Sequence, residues 1–140
     1  MNKNLYNDDE YVDLGLRDAQ KLMTEILKEV HKICEKHNIK YFLDAGTLIG
    51  AVRHKGFIPW DDDLDIGMLR EDYRKFLEIA KKELPDNLFL QTFDSDENYD
   101  IYQVPCKIRY NNTLFIQKVI AENPDMHNGI YIDVLPVSYT

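Results

Sequence analysis

Four carboxylates fall within five positions of this 140-residue chain: Asp61, Asp62, Asp63 and Asp65, in the stretch "GFIPWDDDLDIGM" (residues 56–68). The run is otherwise largely apolar. Two like charges about 4 Å apart repel by roughly 4 kcal/mol at an effective dielectric of about 20. Water or a cation has to relieve that repulsion. Side chains alternate faces along a strand. If "DLDIGM" (63–68) is a strand, Asp63 and Asp65 share one face, and Leu64, Ile66 and Met68 take the other. A carboxylate pair at this spacing suits a hard divalent ion, Mg²⁺ or Mn²⁺, which takes one or two carboxylates, waters and substrate phosphate oxygens. A third ligand has to come from elsewhere. Asp133 is the candidate, being the charged residue isolated in the apolar run "IYIDVLPV". An unpaired carboxylate in a buried strand is costly.

A second element lies upstream. Gly46-Thr47 sits between a predicted strand and a short helix. Helix N-termini offer free N–H groups and a positive dipole end, which suit a phosphate. Gly46 permits close backbone approach, and Thr47 adds a hydroxyl and is the expected N-cap. Arg53, His54 and Lys55 follow as the densest basic cluster in an acidic chain. Lys107 and Arg109 alternate on one predicted strand face and are weaker candidates for the same work. Each feature also has an ordinary reading. Three aspartates form solvated turns, Gly-Thr caps helices, basic triplets end them, and Asp133 could accept backbone hydrogen bonds.

The elements that would position these residues follow from periodicity. Ala19, Leu22, Met23, Ile26, Leu27, Val30, Ile33 and Cys34 recur at three- and four-residue steps, so the spacing predicts one helix over 14–37. "IKYFLD" (39–44) reads as a strand, "GTLIGAVRH" as a short helix and 63–68 as a strand. Residues 70–84 form a helix with Tyr73, Phe76, Leu77 and Ala80 inward, ended by Pro85. "NLFLQTF" (87–93) is a strand. "CKIRY" and "TLFIQKV" flank Asn111-Asn112, a hairpin signal. "GIYIDVLPV" (129–137) is a last strand. The fold class is α/β, mixed α+β, with helices flanking a mixed sheet and a long amphipathic helix in front.

Composition narrows the partners. A net charge of −8 argues against nucleic acid, which needs a basic surface. No apolar run is long enough to span a bilayer. The polar, acidic start "MNKNLYNDDEYVD" is no secretory signal. Cys34 and Cys106 lack metal-type spacing and read as reduced core residues. The expected location is the cytoplasm, with peripheral association at the inner membrane face left open. The oligomeric state is not legible.

The order strand, Gly-Thr, helix, Asp-x-Asp strand and later Asp strand makes the chain recognisable. The run "YFLDAGTLIGAVRHKGFIPWDDDLDIGMLREDYRKF" resembles the signature of the LicD family, bacterial phosphotransferases that decorate cell-surface glycans such as lipopolysaccharide and teichoic acid. The likeness continues through "CKIRYNNT" and "YIDVLPV". The family is similar in turn to the nucleotidyltransferase superfamily of the DNA polymerase beta catalytic domain. The resemblance implies a nucleotidyltransferase-like fold in which Gly46 and Thr47 hold donor phosphate, and Asp63, Asp65 and Asp133 bind two Mg²⁺ ions. It implies transfer of phosphocholine or a related phospho-substituent from a CDP-linked donor to a sugar hydroxyl of a glycan acceptor. In that scheme Arg53, His54 or Lys55 would neutralise the leaving CMP.

The interval from Thr47 to Asp63 is longer than in much of the superfamily, in the LicD manner. LicD-type proteins run well beyond 140 residues. The expectation is therefore one domain over 1–140 that lacks the family's C-terminal portion and, with it, acceptor recognition. Two rivals use the same carboxylates: an enzyme moving NMP from an NTP to a small molecule or protein, and a metal- or nucleotide-binding module without turnover. Phe57 and Trp60 could stack on a base or choline head, or pack in the core.

Overall fold

The computed structural model describes residues 12–100, 104–115 and 123–137. The first helix, α1 (Leu16–His37), buries the predicted stripe through Ala19, Met23, Ile26, Val30, Ile33 and Cys34. It stops at Asn38, whose left-handed φ of 55° lets its N–H close on the Cys34 carbonyl. Strand β1 is only Phe42–Leu43. Helix α2 is Ala45–His54, and strand β2 is Asp65–Leu69. Helix α3 (Arg70–Glu83) has Glu71 and Asp72 in its first turn and Lys81 and Lys82 in its last, which complements its dipole. Tyr73, Phe76 and Ala80 form its buried face. Strands β3 (Leu88–Gln91), β4 (Lys107–Tyr110) and β5 (Tyr131–Val137) complete the element order.

The five strands form one mixed sheet in the order β1-β2-β5-β4-β3. The β2–β5 pair is parallel and the others are antiparallel. One face carries Ile66, Met68, Ile108, Ile132 and Val134, each fully buried, in the core that α1 and α3 supply from above. The register puts Asp65, Asp133, Lys107, Arg109 and Tyr131 on the opposite face. That division into a helix-covered apolar face and a polar face positions the site. Among the described residues, no helix is long and apolar enough to cross a membrane.

Three expectations need correction. The first strand is two residues rather than 39–44. Strand β2 begins at Asp65, so Asp63 lies in the segment leading into it. The hairpin after Asn111-Asn112 does not form over 113–115, which are irregular; the remainder of "TLFIQKV" lies outside the described residues. Asn112 does adopt a positive φ of 63°. Both edges of β4 are occupied, by β3 and β5. Cys34 and Cys106 are buried and free. Burial pushes the Cys34 thiol up to about 11.

Candidate functional site

The centre of the polar face is a row across three strands. Parallel pairing sets Asp65 opposite Asp133, and antiparallel pairing sets Lys107 opposite Asp133 on its other side. The Asp133 N–H donates to the Leu64 carbonyl at 3.0 Å, which fixes the step between β2 and β5. Lys107 Nζ donates to Asp133 Oδ1 at 2.7 Å and lies 3.8 Å above the Tyr131 ring. The Asp65 and Asp133 carboxyls face each other across the paired strands. Burial is the first cause that raises the Asp65 carboxyl, to about 7. The Asp133 hydrogen bond and the charges of Asp133 and Asp63 add to it, while Lys107 opposes.

Asp63 approaches this pair from the loop. Its carboxyl is raised first by burial, then by Asp62, Asp61 and Asp133, with Lys107 again opposing. The backbone is held locally. Asp61 Oδ1 accepts from the Asp63 N–H at 3.1 Å, an Asx turn. Gln20, buried on α1, donates to the Asp61 carbonyl at 2.8 Å. Within the run, the carboxylates of Asp61, Asp62 and Asp63 crowd within 4.8 Å of one another, with Asp62 exposed. The acidic loop is thus tethered to α1 at one end and continues into β2 at the other.

Helix α2 is stitched to the same place. Its N-cap is Asp44, not Thr47: Asp44 Oδ1 accepts from the Ala45 N–H at 2.8 Å. The Thr47 hydroxyl instead accepts from the Asp65 N–H at 2.9 Å, and the Asp44 N–H donates to the Asp65 carbonyl at 3.0 Å. Ala45 has a left-handed φ of 48°, a conformation that costs an ordinary residue about 1–2 kcal/mol. A Cβ on Gly46 would lie 2.9 Å from Asp61 Oδ2. The Asp61 carboxylate therefore rests against the α2 N-terminus, at the positive end of the helix dipole. Gly46, Thr47 and Asp65 form one continuous corner.

Other predicted residues are not brought here. Arg53 and His54 end α2 and Lys55 caps it, all three exposed. At 1.5 Å per residue they lie about 12–15 Å from the helix start. The Arg109 side chain is fully buried; Nε donates to Gln91 Oε1 and Nη1 to the Gly129 carbonyl, each at 2.7 Å. Trp60 is 77% exposed and edge-on to His54, whereas Phe57 packs against the core. The reading from sequence missed Asp44, Asp61 and Gln20. The first two had signals, an aspartate directly before a helix and an aspartate two residues ahead of another. Gln20 had none.

The donor set fits a hard divalent ion. Asp63, Asp65 and Asp133 are partly buried and offer carboxylate oxygens; burial first, and neighbouring carboxylates second, raise the Asp63 and Asp65 carboxyls. Oxygen-only ligands of this kind favour Mg²⁺ or Mn²⁺ over softer metals.

Comparison with known proteins bears on the same stretch. The family described as "LicD/FKTN/FKRP, nucleotidyltransferase domain" matches residues 38–137. The lipopolysaccharide cholinephosphotransferase LicD of Haemophilus influenzae is 46% identical over 79 residues, 56% of this chain and 30% of that protein. Human ribitol 5-phosphate transferase FKRP is 40% identical over 50 residues, 36% of this chain and 10% of that protein. Mouse ribitol-5-phosphate transferase FKTN is 30% identical over 77 residues, 53% of this chain and 17% of that protein. The chain therefore matches less than a third of the length of each of these relatives.

Proposed function

The chain belongs to the LicD/FKTN/FKRP nucleotidyltransferase-domain family, and on that premise we propose that it carries the donor and catalytic centre of a metal-dependent phosphotransferase. The substrate pair is a CDP-linked donor, CDP-choline or a similar compound, and a sugar hydroxyl of a cell-surface glycan. The observation that carries this reading is the Asp65–Asp133 pair, directly opposed in the parallel register of β2 and β5 with Asp63 beside them. The names of the relatives, a cholinephosphotransferase and two ribitol phosphate transferases, support the class of group moved.

In this reading Asp63, Asp65 and Asp133 hold Mg²⁺ or Mn²⁺. The bound ion supplies Lewis-acid stabilisation of charge on the donor diphosphate. The acceptor hydroxyl oxygen forms the new P–O bond, the bond from that phosphorus to the bridging oxygen breaks, and CMP leaves with that electron pair. Asp133 orients the hydroxyl and takes its proton. The Gly46 amide and the α2 dipole receive a donor phosphate, with Thr47 holding that corner on β2 through Asp65. For a phosphate to reach Gly46, the Asp61 carboxylate has to turn away from the helix end.

Calorimetric titration of the full chain with CDP-choline, CTP and ATP, each with and without Mg²⁺, tests the reading. It expects Mg²⁺-dependent binding strongest for CDP-choline. A preference for CTP or ATP favours NMP transfer, and binding without regard to Mg²⁺ contradicts the carboxylate centre.

A further inference from the structure

We propose that Lys107 is a fixed cation of this centre: its ammonium holds Asp133 and takes the charge-balancing place of a second divalent ion, so that the chain binds one ion rather than two. The inference rests on the metal-binding reading above and departs from the two-ion arrangement that the superfamily resemblance implies.

Three observations carry it. First, Lys107 is not available to a substrate. Its side chain is 5% exposed and is engaged with Asp133 Oδ1 at 2.7 Å. The Tyr131 ring, 3.8 Å away, closes its other side. Lysine is rarely buried so fully without a partner of this kind. Second, the register sets it in the carboxylate row. Lys107, Asp133 and Asp65 are directly paired neighbours on β4, β5 and β2, and its field reaches Asp63 as well as Asp65. Third, the ammonium already supplies positive charge at the ligand row. When ionised, Asp63, Asp65 and Asp133 bring three negative charges and Lys107 offsets one, while Asp61 and Asp62 add theirs on the loop side, beside Asp63. Lys107 occupies one acceptor position of Asp133 Oδ1, which leaves the other oxygen the less hindered for a metal. A second divalent ion would have to sit near a buried ammonium, and like charges at such range repel strongly.

The role is one of positioning and charge, not of contact with the reacting atoms. Its signature is unusual in sign. Removing a side chain that merely packs should weaken metal binding, because Asp133 loses its orientation. Removing a competing positive charge should strengthen it.

Mn²⁺ is titrated into the parent chain, Lys107→Arg and Lys107→Met, with free Mn²⁺ read by electron paramagnetic resonance and folding by circular dichroism. The expected result is one Mn²⁺ per parent chain and per Lys107→Arg chain. Lys107→Met is expected to bind at least about tenfold more tightly, or to take up a second ion. Two ions per parent chain, or a Lys107→Met variant that binds no more tightly than the parent, overturns the proposal. If Lys107→Met does not fold, the parent stoichiometry decides alone: one ion upholds the role and two overturn it. A parent chain that binds no Mn²⁺ contradicts the metal reading itself, an outcome distinct from a failed Lys107 effect.

Discussion

Asp65 and Asp133 stand opposite each other in the parallel register of β2 and β5, and after burial it is Asp133 that raises the Asp65 carboxyl. A cation held by the two carboxylates would offset their repulsion.

The first prediction is a pH dependence. The Asp65 carboxyl is raised from 3.8 to about 7, first by burial and then by Asp133. Its neutral form therefore contributes stability that is complete below the unfolded value and is lost as pH rises through about 7. Metal-free protein should lose melting temperature from this group between about pH 4 and about pH 7. Added Mg²⁺ should stabilise increasingly over the same interval, because it binds the ionised form. A Mg²⁺ effect that is constant across that range contradicts the prediction.

The carboxylates should also separate by position. Asp65 is in the paired strand, whereas Asp62 is exposed. Asp65→Asn should abolish Mn²⁺ binding while keeping the fold, since the amide preserves shape and removes repulsion. Asp62→Asn should bind Mn²⁺ within about threefold of the parent, as expected for a screened surface charge. Equal losses in a Mn²⁺ titration of the two variants would place the site within the Asp61–Asp63 cluster instead.

Much of this was legible in the sequence because it is local. The α1 stripe and the Tyr73, Phe76 and Ala80 face of α3 follow from a 3.6-residue period and appear as read. Asp133 stood out by its isolation in an apolar run, and that run is strand β5. What was not legible is pairing between distant segments. Lys107 beside Asp133 depends on β4 and β5 being neighbours, and Asp65 opposite Asp133 depends on β5 inserting between β2 and β4. Turn chemistry was under-read as well. Asp44 was available as the cap directly before α2, and Asp61 holds the Asp63 amide and so delays the start of β2.

The basic triplet was expected at the donor phosphates, and the fold sets it at the other end of α2. A separation of about 12–15 Å exceeds the Debye length of about 8 Å at physiological salt. Arg53→Ala should therefore leave CDP-choline affinity within about twofold of the parent at that ionic strength. A tenfold loss on titration would bring the triplet back to the donor.

Gly50 underlies the turn that delivers the acidic run. A Cβ there would meet the Gly56 carbonyl oxygen and, at 3.0 Å, the Ile58 amide nitrogen. Both are backbone atoms, and the Gly56 N–H also bonds the Gly50 carbonyl. Gly50→Ala should destabilise the chain by about 1–3 kcal/mol and weaken Mn²⁺ binding through displacement of residues 56–63. Urea unfolding and Mn²⁺ titration check the two effects; unchanged stability would show that the turn yields easily.

The most direct measurement is Mn²⁺ electron–nuclear double resonance on the chain with CDP-choline bound. It reports whether donor phosphorus lies beside an ion held by these carboxylates. The account predicts phosphorus hyperfine coupling in the parent and in Asp62→Asn, and its loss in Asp65→Asn. Coupling that persists in Asp65→Asn, or a parent spectrum of free aqueous Mn²⁺, would contradict it.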